Sequence, residues 1–275
     1  MNRLCEFRAA LIEAPTRQLK ETMQFLIPES AIKYGFRVKP GGAHGSKTMM
    51  LREARLLFAA SASDTGYAEL QRLVLEENVL LKDTMSNRED VFKRLAQLYG
   101  LRQELSVYHA LRVLWEAGEE DQPLLAVLCA IARDPLLRAT ATVLFDQPVG
   151  AVVSPRLFEV AVEAAFPQIY GSKTLLSISQ NIAATWAQSG HLTGKIKKTR
   201  HQTIAGPAAV AYALLLAHLS GARGTALFES CWVKALDAAP ENISALAFAA
   251  SQRGWIEYRR IGNVAEVSFS QLLKE

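Results

Sequence analysis

The chain is a nearly unbroken series of helix-length segments. In each, apolar residues recur every three or four positions, and each stops at a glycine, a proline or a short polar residue. A period of 3.6 puts those residues on one stripe of a helix, whereas a strand would scatter them over both faces. This grammar predicts a multi-helical, all-α body. Residues 3–27 open it, with Leu4, Phe7, Leu11, Ile12, Leu19, Met23 and Leu26 on the stripe and Pro15 as a break. A basic, glycine-rich connector follows, carrying Lys33, Arg37 and Lys39 and no acid. Helices are then expected from Ser46, over 67–82, over 87–98 (Ser86 as N-cap, Glu89 completing a capping box, Gly100 as the stop), and over 102–117, 122–132 and 134–146. Further helices are expected from Ser154-Pro155 to about residue 165, from Ser172 to Ser189, from Pro207 to Leu219, and over 224–236 and 241–253.

The pattern changes only at the end. WIEYRRIGNVAEVSF reads as two strand-like runs around Gly262-Asn263, a hairpin signal. Helix, helix, hairpin is the order of a winged helix-turn-helix. The chain therefore divides into an N-terminal segment (1–44), a helical core domain (45–194) and a winged-helix-like C-terminal domain (195–275).

A chain of 275 residues, half of them hydrophobic, is long enough for a large core. The most apolar stretches, 123–132 and 204–219, are too short to span a bilayer and read as buried helices. Charges at Arg3, Glu6, Arg8, Glu13, Arg17, Lys20 and Glu21 exclude a secretory h-region over 1–26. Cys5, Cys129 and Cys231 lie more than a hundred residues apart, which suits reduced, mostly buried thiols in a cytoplasmic protein, not a disulfide framework or zinc site.

Catalytic motifs fail one by one. GGAHGSKT imitates a phosphate-binding P-loop but has Ser46 where the motif needs glycine before the lysine, and no clear strand leads into it. Glu76-Glu77 and Glu119-Glu120-Asp121 are sequence neighbours, which share no helix face. His44, His109, His191, His201 and His218 have no ligand spacing. A non-catalytic protein without cofactor or metal is expected.

Basic features remain. GSKT occurs twice, as Gly45–Thr48 and Gly171–Thr174, each read as a helix start that could present N–H groups and a lysine to a phosphate. The candidate contacts are Ser46, Lys47, Thr48 and nearby Arg52 at the first copy, and Ser172, Lys173 and Thr174 at the second. KIKKTRH adds Lys195, Lys197, Lys198 and Arg200 in an acid-free loop, and the hairpin region adds Arg253, Arg259 and Arg260. With a net charge of only +4, such local clusters would have to meet an anionic partner. The segment 241–253 has few long polar side chains for reading bases, so the expected partner is double-stranded DNA gripped by its phosphates with low sequence preference. A protein-docking adaptor and an RNA-binding protein are the alternatives.

Three stretches resemble the BrxA family of bacterial BREX phage-exclusion systems: GSKTMMLREARLLFAA, LQRLVLEENVLLKDTMSNREDVFKRLAQL and FPQIYGSKTLLSISQNIAATWAQSGHLTG. The likeness runs from Gly45 to about Gly194, a little over half the chain. It implies a compact helical fold akin to the NusB antitermination factor, DNA binding without catalysis, and a setting in phage defence beside other proteins of the same system. It carries over no individual binding residue.

Overall fold

The computed structural model describes residues 25–116, 118–262 and 264–273. The helix expected over 3–27 falls almost wholly outside them, as do Cys5 and Asn263. Two 3-10 turns, Glu29–Tyr34 and Ala43–Gly45, precede the first long helix. The helices that follow are α1 (Leu51–Ala59), α2 (Tyr67–Leu75), α3 (Met85–Tyr99), α4 (Ser106–Trp115), α5 (Gln122–Arg133), α6 (Pro135–Phe145), α7 (Pro155–Ala165) and α8 (Ser172–Gln188). Then come α9 (Pro207–Leu219), the single-turn α10 (Cys231–Lys234) and α11 (Pro240–Gln252).

Two helices make the centre. Every residue of α5 except Pro123 is buried, and so is every residue of α9 except Pro207 and His218. Helices apolar on all sides belong inside a protein, each large aliphatic side chain stabilising the fold by about 1.5–3 kcal/mol on burial. Helix α9 packs on α4, α5, α10 and α11. One continuous apolar core therefore runs from Ala31 to Leu272. No helix among the described residues is long and apolar enough to cross a membrane.

The start of α9 is fixed from a distance. Asp121, ahead of α5, accepts hydrogen bonds from the backbone N–H groups of Gly206 (2.7 Å), Ala208 (3.0 Å) and Ala209 (3.2 Å). It thus satisfies the open N-terminal turn of α9. A Cβ on Gly206 would fall 2.6 Å from that carboxylate.

The helical body and the terminal hairpin are present. Strands β4 (Glu257–Ile261) and β5 (Val264–Ser268) pair antiparallel, Ile261 opposite Val264. The chain is not all-α, however. The segment read as a basic loop is part of a small antiparallel sheet of order β1-β3-β2, formed by Val152–Val153, Lys198–Arg200 and Leu192–Thr193. Strands of two or three residues are too short to show alternation. Gly194 (φ +91°) makes the turn between β2 and β3, where a Cβ would lie 2.2 Å from the Lys197 carbonyl oxygen. Other boundaries differ: the helix expected over 67–82 ends at Leu75, and that expected over 102–117 spans Ser106–Trp115. Helix α3 is capped by Thr84, whose Oγ1 accepts from Asn87 N, and not by Ser86. The stretch 224–236 is a 3-10 turn (Gly224–Leu227) followed by α10. Ser46 is the N-cap of no helix; it closes the 3-10 turn Ala43–Gly45, and Met50 precedes α1.

Candidate nucleic-acid interface

The two GSKT copies have different fates. After the first, residues 46–50 are non-helical and Met50 has φ +55°, so α1 begins only at Leu51. The cause is a buried polar knot. His44 donates its backbone N–H to Asp134 Oδ2 (3.1 Å), and its Nδ1 lies 2.8 Å from the same oxygen. Its Nε2 lies 2.8 Å from Thr185 Oγ1, which also accepts from Met49 N (2.8 Å). Asp134 meanwhile caps α6 through Leu136 N (3.0 Å). Although burial pushes the Asp134 carboxyl up, the His44 contacts and backbone N–H bonds outweigh it and hold the group below the ordinary carboxylate range. A Cβ on Gly42 would sit 2.0 Å from this carboxylate. Of the glycines that suggested a phosphate loop, Gly42 therefore lies against the protein's own carboxylate, and Gly41 and Gly45 border open space.

Lys47 is half-buried and ion-paired with Asp90 (3.1 Å), and Thr48 Oγ1 accepts from the Gln188 side chain (3.0 Å). Ser46 and Arg52 are exposed. At the second copy Gly171 is the N-cap residue, α8 starts at Ser172, and Ser172, Lys173 and Thr174 all face solvent. This copy is the helix start the sequence predicts. The Thr48–Gln188 bond puts the first copy at the far end of α8, about 24 Å from the second at 1.5 Å per residue. The copies do not form one clamp.

The lysine hairpin stands at that same far end. Lys195 and Lys197 are exposed at the β2–β3 turn, while Lys198 donates to Gly194 O (2.8 Å) and is half-buried. Arg200 is buried and forms a two-pronged ion pair with Asp237 (2.8 and 2.5 Å). Its guanidinium is committed inside the protein, so it leaves the list of surface contacts. Asp237, 37 residues further on, is the acid that the acid-free loop lacked. Thr203 Oγ1 and the Gln202 side-chain amide also donate to Leu236 O and Asp237 O. The hairpin is thus riveted to the turn that leads into α11.

Helix α11 turns Ile243, Ala247 and Ala250 inward and exposes Glu241, Asn242, Ala245, Phe248 and Gln252. Residues 201–205 run along one flank, enclosing a groove of about 630 Å³ with Asn242, Ala245 and Leu246. The terminal hairpin lies on the other flank: Arg260 donates to Ser244 Oγ (2.9 Å) and Tyr258 N to Ser251 Oγ (3.2 Å). Arg259 is exposed opposite Glu266, and Arg253 stacks over Trp255 with its guanidinium carbon 5.5 Å from the ring centroid. Lys195, Lys197 and Lys198 thus lie on the hairpin tied to the turn ahead of α11, Arg253, Arg259 and Arg260 lie at the end of α11 and on the hairpin after it, and Lys173 lies at the opposite end of α8. No known protein family and no curated protein matches the chain.

Proposed function

We propose that this chain is a non-catalytic, cytoplasmic DNA-binding component of a bacterial phage-defence system that grips duplex phosphates. One observation carries the reading. Helices α9, α10 and α11 are followed by the β4–β5 hairpin in winged-helix order; the Arg200–Asp237 pair ties the lysine hairpin to the turn ahead of α11, and Ser244 of α11 holds Arg260. The defence setting and the NusB-like character of the helical body rest on the resemblance to the BrxA family. The exposed face of α11 has no lysine or arginine before Arg253 and includes Glu241, so phosphate contact from the flanks dominates over base reading.

Charge reversal at Lys195 and Lys197 is expected to weaken duplex binding in a gel shift and to lower the slope of log affinity against log salt by roughly 2. No shift of duplex DNA at low salt, or an unchanged slope in the double variant, overturns the proposal. Structured RNA outcompeting duplex would replace it with RNA binding of the NusB kind.

A second reading has its own support. Phe248 (56% exposed), Ile204 (89%), Ile261 (85%) and Val264 (71%) are large apolar side chains open to solvent on α11, on its flanking segment and at the hairpin turn. Scattered apolar residues are ordinary, but several on one unit suit an adaptor that docks a partner subunit of the same assembly. Phe248→Asp losing a co-purifying partner while retaining DNA affinity would favour this reading.

A further inference from the structure

A second concentration of positive charge lies away from the α11 unit. A cleft of about 550 Å³ opens between α3, the loop after it and the end of α5. Arg37, Lys93, Arg94, Arg102 and Arg133 line it together with Tyr67, and no acidic residue does. These cations come from four separate parts of the chain, converging only in the fold.

The floor is rigid. Arg133 is 8% exposed and has no carboxylate partner among the described residues; it donates from Nε to Gln97 O (3.2 Å), from Nη2 to Ala96 O (3.4 Å) and from Nη1 to Gly35 O. A guanidinium has five N–H groups, so two remain after these three bonds. Gly35 (φ +108°) and Gly100 (φ +93°) bend the backbone closely around it, where a Cβ on either would come 3.4 Å from the guanidinium. Arg37 is fixed through its backbone, N to Ala132 O (3.1 Å) and O to the Arg138 guanidinium (2.5 Å).

The walls are less committed. Arg94 Nε is buried without a hydrogen bond and lies 3.5 Å from Asp90, a carboxylate already shared with Lys47. Arg102 is exposed and stacks on the half-buried Tyr67 ring, its guanidinium carbon 4.8 Å from the centroid. Lys93 is exposed at the rim.

Five cations against one shared carboxylate leave an excess that a single phosphate dianion does not neutralise. The volume admits a molecule of nucleotide size and no duplex, and guanidinium groups match the geometry of phosphoryl oxygens. We propose that this cleft binds a compact polyphosphate, of nucleoside di- or triphosphate chemistry, at a site separate from the α11 unit. The fixed Arg133 guanidinium and the Arg37 side chain, carried on a fixed backbone, grip phosphoryl oxygens, and the Arg102–Tyr67 stack supplies a flat surface at the mouth.

The test is calorimetric titration of the full chain with ATP, ADP, pyrophosphate and AMP at low salt. ATP, ADP and pyrophosphate are expected to bind, with AMP weaker by roughly tenfold. Arg102→Ala and Lys93→Ala, both at exposed positions and removing no side-chain hydrogen bond among the described residues, are expected to weaken ATP by roughly tenfold or more when combined. Charge reversal at Lys195 and Lys197 is expected to leave ATP binding unchanged. Pyrophosphate binding without a gain from the nucleoside would still support the polyphosphate site. No binding of any of the four, AMP binding as tightly as ATP, or full affinity in the Lys93/Arg102 double variant overturns it. So does a short single-stranded oligonucleotide binding through these two residues while ATP does not.

Discussion

The two ends of α8 carry the same four residues and do opposite things with them. At the N-terminal end, Gly171–Thr174 is exposed, and local rules hold: glycine caps, serine begins the helix. At the C-terminal end, Gly45–Thr48 arrives from far along the chain; Asp90 holds its Lys47 and Gln188 its Thr48, while Asp134 and Thr185 hold the flanking His44 and Met49. Local helix signals at capping residues are worth about 1 kcal/mol, whereas a buried carboxylate that loses its partners, or the reverse, costs several. The same tetrapeptide is therefore helix or loop according to which partners reach it.

Breaking the knot should have the largest effect. Asp134→Ala removes the acceptor for His44 N and Nδ1 together with the α6 cap, and is expected to cost about 3–5 kcal/mol in urea unfolding. Acid should act on the same end of α8. His191 bridges Ser189 Oγ (2.8 Å) and Ala235 O (2.9 Å), and burial pushes its imidazole down to about 4. Between that value and the ordinary pKa of about 6.5 the unfolded chain takes up a proton that the folded chain refuses. Stability is then full above about pH 6.5 and falls as pH drops toward 4, by up to about 3 kcal/mol. His191→Gln should flatten that dependence in a stability–pH series, and an unchanged slope would show the group is not responsible. Thr185→Val strands Met49 N and His44 Nε2 without their shared partner, for an expected loss of about 1–3 kcal/mol. At the opposite end, Lys173→Ala should change stability by less than about 0.5 kcal/mol. A larger loss there would mean the exposed copy is held as firmly as the buried one.

This contrast also marks how far the sequence could be read. Helices closed by local chemistry were legible: Ser154-Pro155 opens α7, Pro207 begins α9, and Gly100 and Gly190 follow α3 and α8. The terminal hairpin was legible from Gly262 between two apolar-patterned runs. What failed depended on distant partners. His44 needs an aspartate 90 residues away, Thr185 reaches back 136 residues to Met49, and Arg200 is withdrawn from the surface by an aspartate 37 residues on. The candidate site was half legible for the same reason. Lysines 195 and 197 stand out as a run, but the cleft around Arg133 draws its cations from segments with no common pattern, Arg37 alone having been marked by the basic connector.

The place of α9 in the chain sets a constraint on its making. The residues up to 194 include α4 and α5, yet the helix that covers them spans Pro207–Leu219. During synthesis, at about 5–20 residues per second, those apolar faces stay open until α9 has emerged. The Asp121 carboxylate likewise waits for Gly206, Ala208 and Ala209 to supply the N–H groups it accepts. A nascent chain stalled near residue 194 would thus carry an uncovered, aggregation-prone surface, and completion of the core is timed to the arrival of the segment that bears the lysine hairpin and α9 together.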